Sequence, residues 1–404
     1  MKYDFTSIMD RHNHDAIAVD GIGGSGFAPG KPKEGFDFIP MWVADMNFPT
    51  APSIPEAIIE RAKHPAYGYF EPTDEYFDAI IHWHEIRKGV TGITKEEIGY
   101  ENGVLGGVVS ALKVFAAPGD PVLLHSPTYI GFTGSVEANG YHIVHSPLKK
   151  DADGIWRMDY EDMDRKIREN HIHAAIFCNP HNPCGRVWTR EEIEKAMAVY
   201  EKNHCWVISD EIWSDIILGG HRITTAQSVS DWAKYHTIAF YAPSKTFNLA
   251  GLVGSYSIIY NPEIRDRVHS ISRKLVYNSM NVLSEHALIG AYSKTGDEWV
   301  SELCEVLTGN VDFAWDFIRD HLEGVEAMKP EGTYMMFLDC GAWLSRHGKT
   351  MDELLRRGWD YGIGWQDGRR FHGATHIRLN LASPLTRVEE AFRRMDQYVF
   401  NGKW

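Results

Sequence analysis

The chain has 404 residues, of which 44% are hydrophobic and 24% charged, and its formal net charge at pH 7 is −14. This composition is typical of a soluble globular protein of two or three domains and excludes a disordered, collagen-like or coiled-coil chain. The acidic balance argues against nucleic acid as the principal ligand. Because no apolar run approaches the ~18 residues that span a bilayer, and the N-terminus lacks a signal peptide's apolar stretch, we expect neither membrane insertion nor secretion.

Cysteine and histidine usage bears on location and on metal binding. The five cysteines are too few for a disulfide scaffold and include no CxxC pair, so we expect a reducing cytoplasm. The chain also has 20 histidines. Neither His82-x-His84 nor His12-x-His14 puts two imidazoles on one helix face, and we therefore predict no metal site.

Short apolar runs alternate with helical patterns between about residues 100 and 260. Each run is continuous and closed by Pro, Asn or Asp, as expected of strands buried on both faces of a largely parallel sheet. The six runs are 121–127, 141–147, 174–180, 205–211, 237–243 and 255–261. A capping box beginning at Thr189 predicts a helix over 190–203. The alternation indicates an α/β sheet with helices on both faces.

The pattern changes after about residue 285. The amphipathic segments that predict helices are 301–323, 351–361 and 386–400, and the apolar runs that predict strands are 333–340 and 376–382. We therefore predict a large domain over 46–284 and a smaller α/β domain over 285–404. Residues 1–45 are expected to form an N-terminal segment that packs with the small domain.

Polar residues follow several of the predicted strands, where ligands bind in open parallel sheets, so these side chains are expected to converge on one crevice. They are Tyr129, Asn182, Asp210 and Lys245. A lysine at such a strand end is shielded from water, which favours the neutral amine that forms a Schiff base. The pentapeptide around Lys245 alone fits an ordinary surface lysine equally well.

Further features each allow a functional and a structural interpretation. Asp210 could pair with a protonated pyridine nitrogen or cap a helix. The glycine-rich segment 102–107 leads into a predicted helix whose N-terminus could hold phosphate, although such helix starts are common. Tyr129 could stack on a planar cofactor or pack in the core. Arg378, in an apolar strand, could bind a substrate carboxylate or form an internal salt bridge. The constrained segment 179–186 favours function.

Six motifs in this order resemble a known family. They are NGVLGG, SPTY, NPHNPCGR, SDEIW, SKTFNLAGL and RLNLASP. The set resembles the fold-type I, or aspartate aminotransferase-like, enzymes that use pyridoxal 5′-phosphate, and more closely the MalY/PatB group of cystathionine β-lyases and C–S lyases. MWVADMNFPTAPSIPEAI and Tyr67-Gly68-Tyr69 extend the resemblance over nearly the whole chain. It implies a mostly parallel seven-stranded sheet between helices in the large domain, a smaller α/β C-terminal domain, and a homodimer with shared active sites.

The resemblance also implies roles for individual residues. Lys245 would form the imine with the cofactor and then move the proton of the substrate Cα. Asp210 would keep the pyridine nitrogen protonated, Asn182 would hydrogen-bond the ring 3′-oxygen, and Tyr129 would stack on the ring. The groups around the phosphate would be the backbone N–H groups of Val104 and Leu105, the hydroxyl of Ser244 and, from the neighbouring subunit, Tyr69. Those near the α-carboxylate of the amino-acid substrate would be Arg378 and the backbone at Ala44.

The resemblance implies β-elimination from L-cystathionine or a related cysteine S-conjugate, which yields a thiol, pyruvate and ammonia. An aminotransferase is the alternative, because one carbanion serves both reactions. Val253 stands where many aminotransferases have a phosphate-binding arginine, which the C–S lyase group commonly lacks too, and this favours the lyase. A regulatory protein partner is a third interpretation, because some members of the group resemble regulators. Arg369 and Arg370 could bind a second carboxylate or remain solvated.

Overall fold

A seven-stranded sheet organises the larger part of the computed structural model, which describes residues 1–24, 26–275 and 278–404. Its strands in spatial order are Ile98–Glu101, Ser255–Ile258, Thr237–Tyr241, Trp206–Asp210, Ala174–Cys178, Pro121–Ser126 and His142–Pro147. Only Ser255–Ile258 is antiparallel to its neighbours, and the other adjacent strands pair in parallel. The predicted α/β class with a mostly parallel sheet is confirmed.

The strands have the continuous apolar character of a sheet covered on both faces. Every residue of Ala174–Cys178 and of Thr237–Tyr241 is buried, so no alternating polar residue interrupts these strands. Each of the six apolar runs contains the strand that it predicted. The seventh strand, Ile98–Glu101, has only four residues at the edge of the sheet and was not identified as a run.

Helices cover the sheet and connect its strands. The α-helices are Ile17–Asp20, Ser53–Ala62, Asp74–Lys88, Val104–Phe115, Ile130–Ala138, Tyr160–Asn170, Arg190–Lys202, Asp231–His236, Pro262–Lys274, Val282–Ala291, Lys294–His321, Gly341–His347, Met351–Asp360 and Leu385–Arg394. The capping box before Arg190–Lys202 forms as predicted. In the parts that the structure describes, no helix is long and apolar enough to cross a bilayer.

Two helices differ from the sequence prediction. The helix expected over 301–323 begins at Lys294, because the Ser293 side chain accepts a hydrogen bond from the Gly296 N–H and caps it. The first turn of this helix is polar, so the apolar periodicity on which the prediction rests begins only after it. The helix expected over 386–400 is α-helical only over Leu385–Arg394 and continues as a π-helix over Met395–Phe400.

A second, four-stranded sheet lies in the C-terminal part. Its antiparallel strands in spatial order are Glu326–Ala327, Met335–Asp339, His376–Asn380 and Gln366–Asp367. Two further pairs of short strands lie outside these sheets. Ile39–Pro40 pairs with Ile363–Gly364, and Lys149–Lys150 pairs with Trp156–Arg157. The first pairing joins the N-terminal segment to the C-terminal part. The domain limits at 45/46 and 284/285 stay a prediction.

Candidate active site

A cavity of about 250 Å³ lies at the carboxyl ends of the parallel strands. Eight of the ten predicted site residues line it, namely Ala44, Val104, Leu105, Tyr129, Asn182, Asp210, Ser244 and Lys245. They converge because Tyr129, Asp210 and Lys245 each end or follow a strand of one sheet, and parallel strands end at the same edge. The other two predicted residues, Arg378 and Tyr69, lie outside the lining.

Lys245 follows the strand Thr237–Tyr241, and its half-buried side chain lines the cavity. Its Nζ donates a hydrogen bond to the Ala44 carbonyl at 3.0 Å and lies 5.8 Å from the centre of the Trp213 ring. Burial and, to a lesser extent, the Arg378 guanidinium lower the pKa of Lys245 to about 8, against the opposing effect of Asp45 and Asp210. The amine is therefore much closer to its neutral, nucleophilic form at neutral pH than a surface lysine.

Asp210 ends the neighbouring strand and is only 4% exposed. Its Oδ1 accepts a hydrogen bond from the Ile212 N–H at 3.0 Å, and it has no ion pair within the described residues. Burial raises the pKa of Asp210 to about 6, although the Ile212 N–H and Lys245 lower it. No helix begins after Asp210, so the helix-cap alternative does not apply. A buried carboxylate of this kind is suited to a cationic ligand atom.

An anion-binding surface lies at the start of the helix Val104–Phe115. Gly103 precedes the helix with φ +82°, a conformation that glycine adopts without strain. The N–H groups of Val104 and Leu105 lie at the positive dipole end of this helix, so they can hold phosphate. Ser244 lines the same cavity, as does Val253, which is 43% exposed and has φ +50°.

The position of the Tyr129 ring requires a glycine at position 131, which was not among the predicted site residues. The tyrosine immediately precedes the helix Ile130–Ala138, and its ring meets the Phe132 ring edge-on at 5.4 Å. A Cβ added at Gly131 would lie 2.4 Å from Tyr129 Cε1, so any larger residue would displace the ring. The signal in the sequence is the glycine two positions after the tyrosine.

Arg378 is 3% exposed in the strand His376–Asn380. Its guanidinium donates to three neutral oxygens, those of the Asn182 side chain, the Trp42 carbonyl and the Gln366 side chain. Among the residues that the structure describes it has no ion pair, so the internal salt bridge considered from the sequence is not formed there. Burial lowers the pKa of Arg378 to about 10, and the side chain remains a cation at neutral pH.

The remaining candidates lie apart from the Lys245 cavity. Tyr69 is fully exposed and lines a separate surface groove, so its role toward a neighbouring subunit stays a prediction. Arg369 forms ion pairs with Asp352 and Asp367. Arg370 lies over the Phe27 ring at 4.1 Å. Neither arginine lines the cavity.

Aromatic residues complete the surroundings of Lys245. Tyr334 is fully buried, and its hydroxyl donates to the Ala44 carbonyl at 3.0 Å, the same oxygen that Lys245 contacts. Its ring meets the Trp213 ring edge-on at 4.7 Å. The sequence analysis assigned no role to either residue, because an aromatic in an apolar stretch gives no signal that separates a site wall from the core.

Comparison with known proteins agrees with this fold and identifies the family. Residues 37–395 match the family model of aminotransferase class I and II. The chain is 34% identical over 361 residues to cystathionine beta-lyase PatB of Bacillus subtilis, an alignment that covers 89% of this chain and 92% of that protein. The chain belongs to the aminotransferase class I and II family, and the resemblance to the MalY/PatB group is confirmed.

Solved structures extend the similarity over nearly the full length. A pyridoxal phosphate-bound putative aminotransferase from Clostridium difficile 630 is 32% identical with a TM-score of 0.89, covering 98% of this chain and 99% of that one. The pyridoxal phosphate-bound C–S lyase from Staphylococcus hominis is 28% identical with a TM-score of 0.86, covering 98% of each chain. Both neighbours support the fold assignment made from the motifs.

Proposed function

We propose that this protein is a pyridoxal 5′-phosphate-dependent C–S β-lyase that cleaves L-cystathionine or a related cysteine S-conjugate to a thiol, pyruvate and ammonia. The observation that carries the proposal is that Lys245 and Asp210 line one cavity at the carboxyl ends of the parallel strands. The first is an amine of lowered pKa, and the second is a carboxylate without an ion pair in the described part of the chain. The similarity to a cystathionine beta-lyase and a C–S lyase supports the choice of reaction.

The residues present fit each functional group of pyridoxal phosphate. Lys245 would bind the aldehyde carbon, and Asp210 would pair with the pyridine nitrogen. Tyr129 would cover one face of the ring, and Asn182 would contact the ring 3′-oxygen. The groups that would hold the phosphate are the N–H groups of Val104 and Leu105 and the hydroxyl of Ser244. All of these residues line the same cavity.

When bound, the cofactor supplies an aldehyde for covalent attachment and a ring that withdraws electrons from the substrate Cα. Lys245 Nζ would make the attachment, because its lowered pKa leaves a larger fraction of the amine neutral than in a surface lysine. With the substrate bound, the same Nζ would take the proton from the substrate Cα. The Ala44 carbonyl orients Nζ through the 3.0 Å hydrogen bond.

Two charged residues, Arg378 and Asp210, would bind the charged groups of the substrate and of the cofactor. Arg378 would bind the α-carboxylate of the amino acid, because its buried guanidinium is met only by neutral oxygens. Asp210 would remain ionised at neutral pH, since its pKa of about 6 lies below that range. With the carboxylate held and the Cα proton on Lys245, the Cα electron pair would form the Cα–Cβ double bond, and the sulfur substituent would leave as the thiolate with the electrons of the C–S bond.

We also propose a cytoplasmic homodimer. The groove near Tyr69 is lined by aromatic and apolar residues such as Phe70 and Met280, a composition typical of a surface that a second copy covers. A second copy there would bring Tyr69 toward the neighbouring cavity, where its hydroxyl would reach the phosphate. All five cysteines are unpaired, which supports a reducing compartment. The regulatory protein partner stays a prediction.

Pyruvate release tests the reaction. The purified protein, loaded with pyridoxal phosphate and mixed with L-cystathionine without a keto acid, should form pyruvate over many turnovers. The matched control is Lys245→Ala, which should form none while keeping the circular dichroism spectrum of the parent. Amino-group transfer to a supplied keto acid, with no pyruvate from cystathionine, would overturn the lyase in favour of an aminotransferase.

A further inference from the structure

Arg378 is a buried cation whose direct acceptors are all neutral. Its Nη2 donates to Gln366 Oε1 at 2.5 Å and to the Trp42 carbonyl at 3.0 Å, and its Nη1 donates to Asn182 Oδ1 at 3.2 Å. Its Nε is buried and has no hydrogen-bond partner among the described residues. A guanidinium with a purely structural role is normally paired with a carboxylate, because an unpaired buried charge is strongly destabilising.

Gln366 faces Arg378 because of the register of two strands. The strand Gln366–Asp367 pairs antiparallel with His376–Asn380, and Gln366 lies directly opposite Arg378. Residues directly opposite each other point to the same face of a sheet. Gln366 is 7% exposed, so its side chain is fixed within the interior beside the guanidinium.

Asp367 follows Gln366 in the strand, and its carboxylate points away from Arg378. Asp367 lies opposite Ile377, and successive residues of a strand point to opposite faces. Its carboxylate accepts hydrogen bonds from Arg369 instead of Arg378. The inward position therefore has an amide oxygen where a carboxylate of the same length would neutralise Arg378.

The plane of the guanidinium is also fixed. The Phe371 ring centre lies 4.3 Å from Arg378 Cζ, within the range of a cation–π contact. Phe371 and Gln366 thus restrain the guanidinium from one face and one edge. Neither contact removes its positive charge.

We propose that Gln366 is a positioning residue for substrate binding, which orients Arg378 through a neutral acceptor and leaves its charge to the α-carboxylate of the amino acid. The inference rests on the proposed function for the identity of that ligand. A carboxylate at position 366 would form the charge-assisted pair with Arg378 itself and compete with the substrate. Gln366 thereby favours α-amino acids over amines without a carboxylate.

Titration of the holoenzyme with two non-eliminating ligands tests this role. L-Alanine carries the α-carboxylate and ethylamine does not, and the change in cofactor absorbance gives a dissociation constant for each. Gln366→Glu should weaken L-alanine binding about 10- to 100-fold, because it neutralises Arg378, and leave ethylamine binding unchanged. Gln366→Met, which keeps the shape and removes the acceptor, should weaken L-alanine binding about 3- to 10-fold.

Steady-state kinetics and a control variant separate positioning from general destabilisation. With an eliminating substrate, Gln366→Glu should raise KM and change kcat by less than about threefold. The matched control is Gln227→Glu, because Gln227 is a buried glutamine that donates to the carbonyls of Thr237 and Ile258, away from the Lys245 cavity. This control should lower thermal stability without changing the preference for L-alanine over ethylamine.

The outcomes distinguish this inference from the proposed function. L-Alanine binding that is unchanged in both Gln366→Glu and Gln366→Met would overturn the positioning role. An equal loss of L-alanine and ethylamine binding would also overturn it, because the effect would not involve the carboxylate. Cofactor absorbance that neither ligand perturbs in the parent protein would overturn the proposed function, and this inference with it.

Discussion

Asp210→Asn should stabilise the cofactor-free protein at neutral pH. The variant keeps the shape of the side chain and an oxygen to accept the Ile212 N–H, but it removes a buried charge. The pKa of Asp210 is about 6 in the folded protein, against an ordinary value of 3.8. A difference of about two units at about 1.36 kcal/mol per unit corresponds to a penalty of about 3 kcal/mol for the ionised folded state.

The sign of the pH dependence follows from the raised pKa. The folded protein binds the Asp210 proton more tightly than the unfolded chain does, so the penalty is fully present above pH 6, decreases as the pH falls toward 3.8, and is absent below it. At pH 5.0 about half of the penalty remains. Since a chain of this length unfolds with an entropy of about 0.85 kcal/mol/K, 3 kcal/mol corresponds to a rise in Tm of about 3–4 °C.

Differential scanning calorimetry of the cofactor-free parent and variant at pH 7.5 and 5.0 measures both effects. Asp215→Asn is the matched control, because Asp215 is buried to the same degree but forms an ion pair with Lys88 and hydrogen bonds with Trp83 and Thr246. It should lower stability by about 3–5 kcal/mol, since it leaves the Lys88 ammonium unpaired. The reasoning is refuted if Asp210→Asn has no stabilising effect at pH 7.5, or if its gain is the same at both pH values.

Three further predictions concern the cofactor site and the scaffold. Gly131→Ala should displace the Tyr129 ring and so weaken cofactor binding about 10-fold, as measured by equilibrium dialysis. Gly134→Ala is the control and should leave cofactor binding unchanged, because a Cβ at that position meets no atom within 4 Å. When pyridoxal phosphate is added to the cofactor-free protein, the rate at which Lys245 reacts with its aldehyde should rise with pH and reach half its maximum near pH 8. A midpoint near 10.5 would show that burial does not lower the pKa of Lys245. Arg186→Met should reduce the free energy of unfolding by about 3–5 kcal/mol in denaturant titrations, because it leaves Glu331 without an ion pair and Glu192 with Arg157 alone. An unchanged value would contradict the stabilising role of the ion pairs of Arg186.

The sequence predicts the backbone of the site well, because its signals are local. Asp210 and Lys245 stand at or just after apolar runs that are strands, and the ends of parallel strands meet at one edge of the sheet. The helix start at Val104 is likewise a local glycine pattern. Such positions can be assigned before any tertiary contact is known.

Contacts between distant segments could not be predicted in this way. Gln366 meets Arg378 only because the two strands pair in one register, and a shift by one residue would bring Asp367 inward instead. Tyr334 reaches the carbonyl of Ala44 across 290 positions of sequence. Composition and periodicity encode neither the register of two strands nor which distant segments come into contact. These contacts could therefore be found only in the structure.

The charges at the site indicate the charges of the ligand. Asp210 and Arg378 are buried and Lys245 is half-buried, and within the described residues each forms hydrogen bonds only with neutral groups. Lys88 and Asp215, by contrast, form an ion pair with each other. Because unpaired buried charges lower stability, their concentration in one place is explained by a ligand that completes them. Such a ligand combines an electrophilic carbon for Lys245, a cationic nitrogen for Asp210 and a carboxylate for Arg378, and an amino acid joined to pyridoxal phosphate carries all three.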